Sequence, residues 1–122
     1  MRKIIAIVTA LALFLPLSAF SAVSIATAKL GTDVVDREIS GETSTFSKDE
    51  TGYLWMRVVD GEGETITVNW TNGEQSYDVD LNIGGNSWRT WSSKVLFLPG
   101  EWTVTVTDSS GATLHQTALT VQ

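Results

Sequence analysis

The chain has 122 residues, with 8 Lys+Arg against 14 Asp+Glu, a single His and no Cys. A net charge of −6 runs against nucleic acid, whose affinity is built on Lys and Arg neutralising phosphates. Without cysteine there is no disulfide framework, thiolate zinc site or thiol nucleophile, and one His removes most metal and triad chemistry.

Met1-Arg2-Lys3 opens with two positive charges, Ile4 to Leu15 is a short apolar run, Pro16 breaks it, and small residues follow up to Ala22. These parts spell a secretory signal peptide over residues 1–21, cleaved near Ser21/Ala22. The apolar run is too short for a membrane anchor, which needs about 20 residues. The expected location is therefore periplasmic or secreted, with no integral anchor once the signal is removed. Residues 22–122 then form a single domain, and loss of Arg2 and Lys3 takes the charge from −6 to −8. A domain of this size buries only about 60–65% of its unfolded surface. Packing must hold it without cross-links, and four of its five tryptophans, at or near strand positions, can supply the volume.

Beyond residue 22 the apolar period is two, the signature of strands. A first strand is expected between Ser24 and Glu38. Ser40 to Glu50 is polar and reads as a surface loop pinned by Phe46. Gly52 to Val59 is a strand, followed by the acidic turn Asp60-Gly61-Glu62-Gly63-Glu64. Ile66, Val68 and Trp70 alternate with polar residues, as do Tyr77, Val79, Leu81 and Ile83. Asn72-Gly73 between them predicts a type I′ hairpin. Trp88 to Leu98 and Trp102 to Thr107 are further strands. Asp108-Ser109-Ser110-Gly111 turns the chain into a last strand, Thr113 to Val121. About seven strands without a helical stripe predict an all-β fold, a two-sheet antiparallel immunoglobulin-like β-sandwich without a disulfide. A small closed barrel is the alternative.

Gly84-Gly85-Asn86-Ser87-Trp88-Arg89-Thr90-Trp91-Ser92-Ser93-Lys94, followed by Gly100-Glu101-Trp102 and the turn Asp108 to Gly111, resembles the signature of a bacterial extracytoplasmic family, domain of unknown function 2914. Asp36-Arg37-Glu38 is similar to the family's Asn-Arg-Glu element, with Asp in place of Asn. The resemblance implies an exported β domain and no particular activity.

The candidate ligand or partner surface is Trp88, Arg89, Trp91, Ser93 and Arg37. Period two puts Trp88, Thr90 and Ser92 on one face of their strand and Arg89, Trp91 and Ser93 on the other. An outward tryptophan beside a guanidinium and hydroxyls is a platform for a sugar ring or an aromatic side chain. The plainer reading is that the tryptophans cover the two sheet faces and Arg89 pairs with an acid. The acidic turn at 60–64, with Glu74, Asp78 and Asp80, matches no calcium loop and reads as solvated. His115 reads as structural. Ser92, Ser93 and Lys94 lack the spacing and the oxyanion hole of a Ser–Lys hydrolase. Asn69-Trp70-Thr71 matches a glycosylation acceptor by coincidence.

Small size, the poverty of catalytic residue types and the family resemblance together lead to the expectation of a non-enzymatic binding or interaction module, with no cofactor and no metal, whose partner is a protein of the cell envelope. The alternative is a small carbohydrate-binding module stacking sugars on Trp91 or Trp88 and Tyr53. An enzyme would require a concave site gathering Arg37, Arg89 and several carboxylates.

Overall fold

The computed structural model describes residues 22–122, and the predicted signal peptide lies outside the described residues. Alternation of apolar and polar side chains gives strands along nearly the whole of that length. They are β1 (Ser24–Val35), β2 (Glu38–Glu42), β3 (Thr45–Phe46), β4 (Glu50–Val59), β5 (Thr65–Thr71), β6 (Ser76–Asn82), β7 (Ser87–Leu96), β8 (Gly100–Thr107) and β9 (Thr113–Val121). No helix occurs among the described residues. A four-stranded sheet has the order β2-β1-β4-β7, and a five-stranded sheet the order β3-β9-β8-β5-β6.

The inward side chains of both sheets form one sandwich-like core. Leu54, Met56 and Val58 come from β4, Ile66, Val68 and Trp70 from β5, and Trp102, Val104 and Val106 from β8. Fully burying such side chains stabilises by roughly 1.5–3 kcal/mol each, set against the entropy of ordering the chain. Both large indoles inside are satisfied. Trp102 Nε1 donates to the Leu98 carbonyl at 2.9 Å, and Trp70 Nε1 donates to Ser92 Oγ at 2.9 Å. The second bond links β5 of one sheet to β7 of the other. It is a polar tie across a core that has no disulfide.

Four expectations need correction. Among the described residues there are nine strands rather than about seven. The polar stretch 40–50 is not a plain loop, because it carries the end of β2, the two-residue β3 and the start of β4. Phe46 does pin it, at 1% exposure. The β3–β9 pair is parallel, so the sheets are not wholly antiparallel. The Asn72-Gly73 connection is a four-residue loop closed on the Thr71↔Ser76 pair. Gly73 has φ +95°, while Asn72 Oδ1 accepts from the Glu74 and Gln75 N–H groups at 3.0 and 2.8 Å. The asparagine side chain caps the turn there, which a two-residue type I′ turn does not require.

The two-residue turn appears instead at Asp36-Arg37, between β1 and β2, where φ is +53° and +64°. Positive φ at both central residues defines type I′, which matches the twist of the flanking strands. The hairpin is bent back on itself at Gly31. A Cβ there would stand 2.7 Å from Ile39 Cγ1 and 2.8 Å from the Ser40 carbonyl, so only glycine admits the close approach. The bend sends the hairpin tip across the outer surface of the four-stranded sheet.

Candidate ligand surface on the four-stranded sheet

Since Leu54, Met56 and Val58 of β4 face the core, Tyr53, Trp55 and Arg57 face outward. Ser92 and Leu96 of β7 face inward, which turns Arg89, Trp91 and Ser93 outward. The register sets these residues opposite one another as Tyr53↔Ser93, Trp55↔Trp91 and Arg57↔Arg89. Trp91 and Arg89 are half-buried and Ser93 is exposed. An aromatic band with two guanidiniums at one end results.

Trp55 is the unexpected member. It points away from the core yet is only 4% exposed. The hairpin tip covers it, with Trp55 Nε1 donating to the Arg37 carbonyl at 2.9 Å. Lys29 Nζ sits 6.0 Å from its ring centroid, within cation–π range. The next residue at the tip, Glu38, meets Arg89 Nη1 through its Oε2 at 2.6 Å. Arg37 Nη2 donates to the Arg89 carbonyl at 3.5 Å, a long bond, and its guanidinium carbon lies 5.8 Å from the Trp88 ring centroid. The left-handed backbone of Arg37 is what aims its carbonyl at one tryptophan and its side chain at another. A non-glycine residue held there is strained by about 1 kcal/mol or more.

Arg89, Trp91 and Ser93 share the outer face by alternation, Arg37 joins them through the hairpin tip, and Trp88 is not on the same face. It packs half-buried against the core. A Cβ on Gly84 would stand 2.8 Å from its Cη2, so the Gly84 backbone is the floor on which the indole rests. The Gly-Gly that precedes this tryptophan in sequence therefore has a packing reason. Trp55, Arg57 and Glu38 were not foreseen as site residues. For the first two a signal was present, since Tyr53, Trp55 and Arg57 alternate with Leu54, Met56 and Val58.

The opposite outer face differs in kind. On the five-stranded sheet Thr65, Thr67 and Asn69 of β5 donate to Asn82, Asp80 and Asp78 of β6 at 2.9, 2.8 and 2.8 Å. Thr120 donates to Glu101 at 2.9 Å, and Gln116 to Thr105 at 3.0 Å. Many of its polar side chains pair with one another. No aromatic or cationic side chain alternates outward on β5 or β8.

The other chemistry-bearing residues are held in structural roles. Ser92 is 2% exposed and its oxygen accepts from Trp70. Lys94 donates to the Val95 carbonyl at 3.1 Å, with Nζ 3.9 and 4.6 Å from the Tyr77 and Phe97 ring centroids. Burial against these rings pushes its pKa below the ordinary lysine value. Asp108 Oδ1 accepts from Ser110 Oγ, Ser110 N and Ala112 N at 2.7, 2.9 and 3.0 Å. Those bonds, that from the Ser110 hydroxyl first, hold its carboxyl below the usual range. Asp60 and Gly63 adopt positive φ in a turn whose Gly63 N–H donates to the Ile83 carbonyl at 2.9 Å. Among the described residues no three His, Asp or Glu side chains gather to hold a metal ion. An open cleft of about 350 Å³ lies at the β1–β9 seam, lined by Ala28, Leu30, Glu42, His115 and Thr117 among others. It contains none of the residues singled out above for binding.

One comparison bears on the fold and one on the family. A solved structure of Pseudomonas fluorescens alkylpurine DNA glycosylase AlkC, bound to DNA containing an abasic site analog, is similar over 84% of this chain, with a TM-score of 0.53 and 10% identity. The chain spans 31% of that enzyme's length, and the likeness is one of fold alone. No curated protein matches the chain. Residues 57–121, from the outward Arg57 through the last strand, match the family model described as "Protein of unknown function (DUF2914)", and the chain belongs to that family.

Proposed function

We propose that the protein is a non-enzymatic binding module of the cell envelope, exported by cleavage near Ser21/Ala22, that engages its ligand through the outer face of the four-stranded sheet. The carrying observation is the contrast between the two outer faces. One is a closed ladder of hydroxyls, amides and carboxylates, and the other presents Tyr53, Trp91, Arg57, Arg89 and Ser93. Buried Ser92 and ring-bound Lys94 support a non-catalytic reading.

The immunoglobulin-like reading of the fold is supported by strand order. In β1-β4-β7 and β9-β8-β5-β6 the pairing follows the A-B-E and G-F-C-C′ orders of such domains. Trp70 is buried on the strand equivalent to C. The DNA in the description of the similar glycosylase belongs to that protein.

Sequence alone puts a protein partner first, but the geometry favours a glycan. Protein partners of sandwiches often add a strand at a free edge. Of the four edge strands, β2, β7, β3 and β6, it is β7, the one beside this face, that carries Arg37 on the Arg89 carbonyl and Lys94 on the Val95 carbonyl, cationic side chains that guard it against strand addition. Trp91 beside Tyr53 offers aromatic area on the face instead.

Cell fractionation and fluorescence titration test this reading. The mature chain is expected outside the cytoplasm without residues 1–21, and a glycan panel is expected to quench its tryptophan emission in a manner lost in Trp91→Ala. A full-length cytoplasmic chain, or no response to any glycan, contradicts it.

A further inference from the structure

Resting on the glycan reading of this face, we infer that the ligand is an acidic saccharide, with Arg57 and Arg89 clamping a ring carboxylate while Trp91 carries the sugar face. The outward positions of β4 and β7 hold only two charged side chains. Both are guanidiniums, and the register places them directly opposite at Arg57↔Arg89. Like charges facing each other across a strand pair destabilise a sheet, so the arrangement calls for an anion.

Only half of that demand is met among the described residues. Glu38 neutralises Arg89, whereas Arg57 Nη1 donates to the neutral Ser87 hydroxyl at 3.0 Å. Neither of the two ion pairs among the described residues involves Arg57. The Arg89–Glu38 pair is exposed, at 40% and 56% of the side chains, and exposed pairs are held weakly. Glu38 therefore stands where a ligand carboxylate would sit, and it can be displaced or joined there. Guanidinium is suited to this because its planar fork takes a carboxylate with two parallel hydrogen bonds.

A carboxylate on a sugar ring fits the neighbouring side chains. Trp91 is adjacent to Arg89 on the same strand face, two residues along, and one step across from Trp55. Its indole can take the apolar face of a pyranose while Ser93 and Tyr53, paired across the strands, offer hydroxyls to the sugar. An acidic peptide would supply carboxylates too. Bound as an added strand, it would need the β7 edge, which Arg37 and Lys94 guard.

The test is calorimetric titration of the protein, expressed from its full chain, with tetragalacturonate, alginate tetramers, neutral maltotetraose and a tetraglutamate peptide. A uronate tetramer is expected to bind at least tenfold more tightly than maltotetraose or the peptide. Arg57→Gln should weaken uronate binding at least tenfold with an unchanged melting temperature, and Arg57→Lys should restore only part of it. Glu38→Gln should strengthen binding about threefold, a gain that misfolding cannot imitate. Equal binding of maltotetraose, preference for the peptide, failure of both uronates at millimolar concentration, or indifference to Arg57→Gln and Glu38→Gln overturns the inference. Saccharide binding that is lost in Trp91→Ala but untouched by Arg57→Gln removes the acidic ligand and leaves the glycan surface standing.

Discussion

Trp55 shows how a single side chain can belong to the surface by alternation and to the interior by burial. Its N–H holds the Arg37 carbonyl, and the hairpin tip shields it. Trp55→Phe removes one hydrogen bond and is expected to cost about 1 kcal/mol. Amide exchange at Val35 and Glu38 should quicken while the core strands stay protected. Ser92 is the complementary case, because its oxygen is the partner of a fully buried indole. Ser92→Ala leaves Trp70 Nε1 unsatisfied, and chemical denaturation should report a loss of about 1–3 kcal/mol. Gly84→Ala sets a methyl 2.8 Å from the Trp88 ring, so the indole must tilt. A loss of about 1–2 kcal/mol and a shifted emission spectrum are expected. Period two along β7 puts Trp91 on the face of Arg89 and opposite Trp88, although the strand's own burial does not alternate from Trp88 to Trp91. Trp55 could not be read as covered, since its cover is a hairpin tip 18 residues earlier whose direction depends on a close approach at Gly31.

Among the elements, the hairpins divide by how their turns are capped. The β8–β9 turn closes around Asp108, whose carboxylate takes three hydrogen bonds from Ser110 and Ala112. Its pKa is lower in the folded chain than in the unfolded one, so its contribution to stability is full above the unfolded value near 3.9 and fades as pH falls through the folded value. Thermal melts should show wild type losing stability below about pH 4. Asp108→Asn should be less stable at pH 7 yet lose less on acidification. Asp108-Ser109-Ser110-Gly111 is legible as a turn because its chemistry is local. The loop Asn72–Gln75 was misread for an equally local reason, since the asparagine side chain competes with the backbone for the turn hydrogen bonds. β2 and β3 were hidden because their pairing is distant or folded back. β3 has two residues and gains its only partner in β9, at the far end of the chain.

For the molecule as a whole, two sheets share one core while their outer faces diverge. The five-stranded sheet satisfies its polar groups internally, and the four-stranded sheet leaves an aromatic and cationic band open beneath a strap anchored through Trp55 and Arg89. Sequence periodicity carried the all-β architecture and the division of Arg89 and Trp91 from Trp88. It could not bring Arg57 opposite Arg89 or Glu38 onto Arg89, because those neighbours are set by strand register and by the hairpin's fold-back. The most direct measurement of which face is used is photo-crosslinking in the producing cells, with a diazirine side chain at Ser93 on one face or at Thr103 on the other. Mass-shifted adducts from position 93 and none from position 103 are predicted. Adducts from position 103 alone, or equally from both, would contradict the assignment of the ligand to the four-stranded sheet.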